Sequence, residues 1–282
     1  MSDMRLVDKG VNTLAYGGQL VADHPGLTDA SYRARRAALS DLAAAYRRGD
    51  PVPAAPYAGE EHDLWRTCSK ELAERHERLA CDEYRRGVEA LQLPGDHVPQ
   101  LTEVSALLAP ITGFRYEPVP GLGDGWFMST QYIRHHSVPY YTPEPDVIHE
   151  VIGHANQLAS PRFAGLYRKV GDAVRRVRSD QAVQFLSRVF WFTMEFGVVH
   201  EDGTLRAYGA GILSSFGELE AFRGADVRPF DIAAMGAQPY DITRYQPVLF
   251  AADSVDDLVA TMTEFLDSYD DDAYARYARK VA

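Results

Sequence analysis

Two histidines five residues apart, His149 and His154, lie in a stretch that mixes apolar and acidic residues, Thr142-Pro-Glu-Pro-Asp-Val-Ile-His-Glu-Val-Ile-Gly-His154. Neutral imidazole is the commonest side-chain ligand for a transition metal. The helical motif of a zinc protease spaces its histidines four apart, so both rings share one face. A gap of five turns the second ring about 140° from the first on a regular helix. The pair can meet one ion only if the helix is locally widened or ends between them, and Gly153 is placed to permit that distortion. A second segment, Phe190-Trp-Phe-Thr-Met-Glu195-Phe-Gly-Val-Val199, sets one carboxylate inside an apolar helix. Burying a carboxylate unpaired is costly, so Glu195 needs a cationic side chain or a metal. Two imidazoles and one carboxylate form the facial ligand set of non-haem iron(II) oxygenases, which leaves positions open for O2 and a co-substrate. A surface helix with two unrelated histidines, and a Glu195–arginine ion pair, are the competing readings of these residues.

The elements that must carry these groups are mostly helical. Thr28 is placed to cap a helix with Tyr32, Leu39, Leu42 and Tyr46 on one face, ending at Gly49-Asp50-Pro51. Residues 61–92 read as one helix, with Leu64, Trp65, Cys68, Leu72 and Leu79 at helical spacing and Pro94-Gly95 as the break. A short helix is expected near 102–108, strands at 114–119 and 126–133, and a helix over 145–157. Ser160-Pro161 opens the next helix, and Asp180 is expected to cap the one that runs through Glu195. Residues 198–208 read as a β-hairpin turning at Asp202-Gly203. Ser254, with Asp257 three residues on, starts a last amphipathic helix. The fold class expected is mainly α with small β elements. The proline-rich stretch 51–59 is the one boundary, separating an N-terminal arm and helix packed on the body (1–50) from a main iron-binding domain (51–282).

Composition narrows the class. The 282 residues are 46% hydrophobic with a formal net charge of −11, which fits a globular chain and argues against nucleic-acid binding. Two cysteines, Cys68 and Cys81, make a disulfide framework unlikely and fit a reducing cytoplasm; read as one helical stretch, they serve as small core residues. No apolar run is long enough for a signal peptide or a membrane span. A cytoplasmic protein is expected.

The segments TQYIRH (130–135), YTPEPDVIHEVIGH (141–154), FWFTMEFG (190–197) and YGAGILSSFGELE (208–220) resemble the catalytic domain of the aromatic amino acid hydroxylases. ACDEYRRGVEAL, VPQLTEVSALL and TGFRYEPVPGL upstream and YDITRYQPVLFAADS downstream extend the similarity over roughly residues 60 to 265. The resemblance implies a phenylalanine monooxygenase-like enzyme. It would hold Fe(II) by His149, His154 and Glu195 and use O2 and tetrahydropterin on the ring of a free aromatic amino acid. Arg134 matches the arginine that grips the substrate carboxylate, a bidentate task that suits a guanidinium, and Thr142 matches a second contact at that end. Pro145, Trp191 and Phe196 match the walls of the aromatic slot. Gly211 and Ser214 match the loop beside the substrate and the first histidine, where Ser214 can orient an imidazole. Gly121, Leu122 and Glu150 match the pterin side. Trp191 and Ile242 lean the substrate toward phenylalanine.

Three differences fall on the pterin side of that resemblance. The segment between Leu122 and Thr130 is about ten residues shorter than in the family, Met128 stands where a histidine is common, and Ala155-Asn156 replaces Val-Pro. Trp126 or Phe127 is placed to supply the missing stacking partner. A diverged family member with another aromatic substrate or reductant is the competing enzymatic reading, and a non-catalytic iron sensor the competing class. A monomer or dimer is expected, since the tail lacks heptads.

Overall fold

The computed structural model describes residues 30–119, 132–136, 147–241 and 244–280. Helices dominate. They run in order as α1 (Ala30–Ala45), α2 (Gly59–Leu79), α3 (Asp82–Leu91) and α4 (Leu101–Thr112), then strands β1 (Arg115–Val119) and β2 (Tyr132–His136). A π-helical turn, Ile148–Ala155, follows and continues as one ordinary turn. Next come α5 (Pro161–Arg176), α6 (Asp180–Phe190) and a second π-helical turn, Trp191–Glu195, continuous with α6. The hairpin β3 (Val198–Glu201) and β4 (Thr204–Ala207) leads to α7 (Ala210–Leu213) and α8 (Phe216–Ala221). The chain closes with β5 (Asp226–Pro229), α9 (Ile232–Ala237), β6 (Val248–Ala252), α10 (Val255–Ser268) and α11 (Asp271–Ala278).

Two small sheets tie the helices together. β1 and β2 pair in parallel, with Glu117 opposite Arg134. The second sheet has the order β4-β3-β6-β5, antiparallel at the hairpin and parallel elsewhere. The hairpin turn places Asp202 and Gly203 both at positive φ, the conformation a tight two-residue turn requires. One contiguous core runs from Trp65 on α2 through Tyr167 on α5 and Phe192 to Phe265 on α10. α1 is tied to this body by Arg35–Glu61 at 2.9 Å, and Arg48, just beyond its end, pairs with Glu117 at 2.7 Å.

Several local expectations change. The stretch 61–92 is two helices rather than one. At Ala80–Cys81 the backbone turns extended and joins the end of β4: Ala80 bridges to Ala207, and the Cys81 N–H donates to the Ala207 carbonyl at 2.9 Å. Both cysteines are buried and free, as small core residues. Ser179, not Asp180, caps α6, because its hydroxyl accepts the Ala182 N–H at 3.3 Å while Asp180 is already helical. Ser160 and Ser254 cap as expected, accepting from Phe163 and Asp257. β5, α9 and β6 have no counterpart in the sequence reading. Thr28, Trp126, Phe127 and Met128 lie outside the described residues.

Candidate metal centre

Both histidines ride on the first π-helical turn, Ile148–Ala155. A turn closed by i→i+5 bonds brings residues five apart onto nearly one face, which is the widening that their spacing demands. Two side chains from other elements, and one from its own continuation, supply its carbonyls with donors. Tyr84 of α3 donates to the Ile152 carbonyl at 2.6 Å, Asn156 donates to the same oxygen at 2.9 Å, and Tyr116 of β1 donates to that of Glu150. Gly153 contributes differently from expectation. Its φ is not left-handed; a Cβ there would sit 2.8 Å from the Ala210 carbonyl, so the glycine lets α7 pack against the turn.

Glu195 ends the second π-helical turn, closed by the Phe196 N–H donating five residues back to the Trp191 carbonyl at 2.8 Å. Thr193 gives a local reason for the change of pitch. Its hydroxyl donates to the Val189 carbonyl at 2.7 Å and competes for the acceptor that its own N–H would use in a regular helix.

The two widened turns bring three acceptor groups together. His149 Nε2 and His154 Nε2 are 3.1 Å apart. Glu195 Oε1 lies 3.2 Å from His154 Nε2, and its Oε2 lies 3.5 Å from His149 Nε2. Ligands in cis positions about 2.1 Å from one ion stand about 3 Å apart, and a trans pair about 4.2 Å. All three separations lie near cis spacing, with a different oxygen of Glu195 turned toward each histidine. Two bare imidazole nitrogens and a carboxylate repel one another at these distances unless a cation or a proton lies between them. The donor set therefore fits a divalent transition metal. Burial pushes the Glu195 carboxyl up, but the charge and hydrogen bond of His154, with His149 adding, outweigh this and hold it below its usual range.

Each imidazole is anchored by its other nitrogen. His149 Nδ1 is 2.8 Å from Ser214 Oγ, and that hydroxyl also lies 2.8 Å from the Ala210 carbonyl. A carbonyl can only accept, so the hydroxyl donates to it and accepts from Nδ1–H of His149, which in the neutral ring leaves Nε2 bare. His154 Nδ1 is 2.8 Å from the hydroxyl of Tyr167.

A second carboxylate competes for the third position. Glu150 is buried, and its ligand atom lies within 4.8 Å of those of His149 and His154. Glu195 reaches each of the two nitrogens with one oxygen, at 3.5 Å or less.

Beside this cluster stands an aromatic wall. Trp191 stacks on Tyr240 with centroids 4.1 Å apart and 10° between planes, and it lies 4.5 Å from Phe196. Its indole N–H donates to Gln246 Oε1 at 3.1 Å. Gln246 is itself held by its backbone N–H, which donates to Glu218 at 2.7 Å. A Cβ at Gly211 would fall 2.6 Å from the Phe196 ring and 3.0 Å from the Glu195 carbonyl, so only glycine lets that ring lie against α7.

Comparison with known proteins decides what this arrangement belongs to. The family model for "Biopterin-dependent aromatic amino acid hydroxylase" matches residues 2–281. The chain belongs to that family. The hydroxylase is 46% identical over 262 residues to the phenylalanine 3-hydroxylase of Streptomyces coeruleorubidus, covering 89% of this chain and 94% of that one. It is 38% identical to human phenylalanine-4-hydroxylase over 89% of its own length but 59% of the human chain. Its fold matches phenylalanine hydroxylase from Legionella pneumophila with a TM-score of 0.71 and 30% identity, over 80% of this chain and 92% of that one.

Of the residues singled out from sequence, the hydroxylase brings together His149, His154, Glu195, Glu150, Ser214, Gly211, Phe196 and Trp191. Gly121, Leu122, Thr142, Pro145 and Ile242 lie outside the described residues. Arg134 lies on β2 opposite Glu117, and only its backbone is described. Sequence reasoning missed Tyr167, Gln157, Tyr240, Gln246 and Glu218. Gln157 carried a usable signal, as a polar residue three positions past His154 in the same helical stretch.

Proposed function

We propose that this hydroxylase holds one Fe(II) through His149, His154 and Glu195 and hydroxylates the ring of free L-phenylalanine, with O2 and tetrahydropterin as co-substrates. The observation that carries the reading is the convergence of three acceptor groups at 3.1, 3.2 and 3.5 Å, each pair at cis spacing. Bound there, the iron supplies O2 activation; one oxygen atom enters the ring and the other leaves as water, with two electrons from the reduced pterin. The protein's part is placement. Ser214 fixes the ring of His149. Trp191 and Phe196, with Pro145, wall the aromatic slot, and Gly211 gives Phe196 its room. Arg134 and Thr142 take the amino acid's carboxylate end, which aims the ring at the iron. Gly121, Leu122 and Glu150 take the pterin. Family membership and the names of the relatives support the substrate and the pterin.

The test is turnover of phenylalanine by Fe(II)-loaded protein with and without tetrahydrobiopterin, read as a product heavier by one oxygen. Hydroxylation only with pterin is expected; equal turnover without it rejects pterin dependence, and no oxygenated product rejects the substrate. A second reading concerns ring position. The 46% identity to a 3-hydroxylase, against 38–41% to several animal 4-hydroxylases, favours meta-tyrosine. Chromatography against meta- and para-tyrosine standards decides between them.

A further inference from the structure

Tyr167 and Gln157 are buried polar residues that the proposed reaction does not use. The Gln157 amide nitrogen lies 3.1 Å from the Met194 carbonyl and 2.8 Å from the Tyr208 carbonyl. Both partners are backbone oxygens, which only accept, so the amide must face them with its NH2 group. Its oxygen then points the other way, at the Tyr167 hydroxyl. An amide oxygen cannot donate, so the phenol donates to it. The phenol oxygen is left to accept, and the group 2.8 Å away is His154 Nδ1. That nitrogen must therefore carry the proton. In the neutral ring that a metal requires, His154 turns Nδ1–H toward Tyr167 and the Nε2 lone pair toward His149 and Glu195.

We infer that Tyr167 and Gln157 are positioning residues that select the metal-binding tautomer of His154 and couple it to the backbone beside Glu195. The inference rests on the iron site proposed above. Met194 directly precedes Glu195, so Gln157 ties the histidine-bearing turn to the glutamate-bearing turn through one side chain. Tyr167 comes from α5 and packs edge-on against Phe190 and His154. Ser214 performs the same selection on His149, with the Ala210 carbonyl in the part that Gln157 plays here. A hydroxyl committed to a fixed acceptor thus governs each imidazole.

The probe is Zn(II), which is diamagnetic and redox-inert, measured by chelator competition and by 15N NMR of histidine-labelled protein. In the wild type the 15N shifts are expected to show His154 ligating through Nε2, with a protonated, exchange-protected Nδ1. Tyr167→Phe removes one oxygen and keeps the ring, and should weaken Zn(II) binding about 10- to 100-fold. Gln157→Leu should weaken it similarly although the tyrosine remains, because the freed phenol can turn its proton onto Nδ1. The double variant should be no weaker than the worse single one, a non-additivity that loss of packing alone would not give. Failure of the wild type to bind Zn(II), or undiminished binding by His149→Ala, sinks the iron-site reading itself. The tautomer assignment alone falls if wild type binds through Nδ1 of His154, or if folded Tyr167→Phe binds within twofold of wild type. The wild-type spectrum decides the tautomer even if either variant fails to fold.

Discussion

His149 and His154 are each held at 2.8 Å through the nitrogen that faces away from the cluster, whereas Trp191, four residues before Glu195, is held by a stacked ring and one hydrogen bond. The two regions solve different problems. A ligand must present a lone pair in one direction, and only a hydrogen bond to a committed partner sets both ring orientation and tautomer. A slot wall must present a flat surface at a set depth, and stacking with close packing does that without regard to protons. Damage to the first region should therefore appear in metal affinity, and damage to the second in substrate affinity with the metal retained.

The largest expected effect comes from breaking the ligand side outright. His154→Ala should lower metal affinity at least about a hundredfold, beyond the cost of losing a supporting hydrogen bond, and abolish turnover. Metal content after dialysis and single-turnover kinetics check both. Ser214→Ala comes next: metal affinity should fall about 10- to 100-fold, with phenylalanine affinity at saturating metal little changed. On the wall side, Trp191→Leu should raise KM for phenylalanine about tenfold, in line with the worth of an aromatic contact, while metal affinity holds. A parallel loss of metal by Trp191→Leu would erase the distinction between the regions.

The smallest effect on activity is expected at Glu218, which supports the wall from behind. Burial pushes its carboxyl up to about 7, against the opposing pull of the Gln246 N–H. The folded state thus holds a proton that the unfolded chain, near 4.5, releases. The stabilisation is complete below about pH 4.5 and is lost as pH rises through about 7, amounting at most to about 3 kcal/mol. Glu218→Gln keeps an acceptor for Gln246 and should remove that slope from denaturation curves taken between pH 4.5 and 7. An unchanged slope would show that Glu218 is already ionised in the folded protein.

The candidate ligands His149, His154 and Glu195 stood out in the sequence because a carboxylate in the apolar run Phe190 to Val199 and two histidines five apart have few uses. The gap of five called for a helix either widened or ended between the histidines, and the segments that carry His149, His154 and Glu195 are π-helical. What supports them was not legible. Tyr167 lies thirteen residues past His154 on another helix, and only the approach of α5 to the first turn pairs them. The sequence shows Gly153 as permitting the distortion of the helix, and its close packing against Ala210, a contact set by tertiary structure, is not visible there. The break at Ala80 likewise depends on the distant Ala207. Local pattern missed β5, whose four residues are largely exposed and carry no alternation, and β6, whose apolar run Val-Leu-Phe-Ala-Ala suits a helix as well as a strand.

The central claim is that Glu195, and not its buried neighbour Glu150, completes the set with the two histidines. Anaerobic Fe(II) titration of the wild type, Glu195→Ala and Glu150→Ala tests it directly. One tightly bound ion per chain is predicted for the wild type and for Glu150→Ala, with tight binding lost in Glu195→Ala. Tight binding that survives in Glu195→Ala and vanishes in Glu150→Ala would contradict the account.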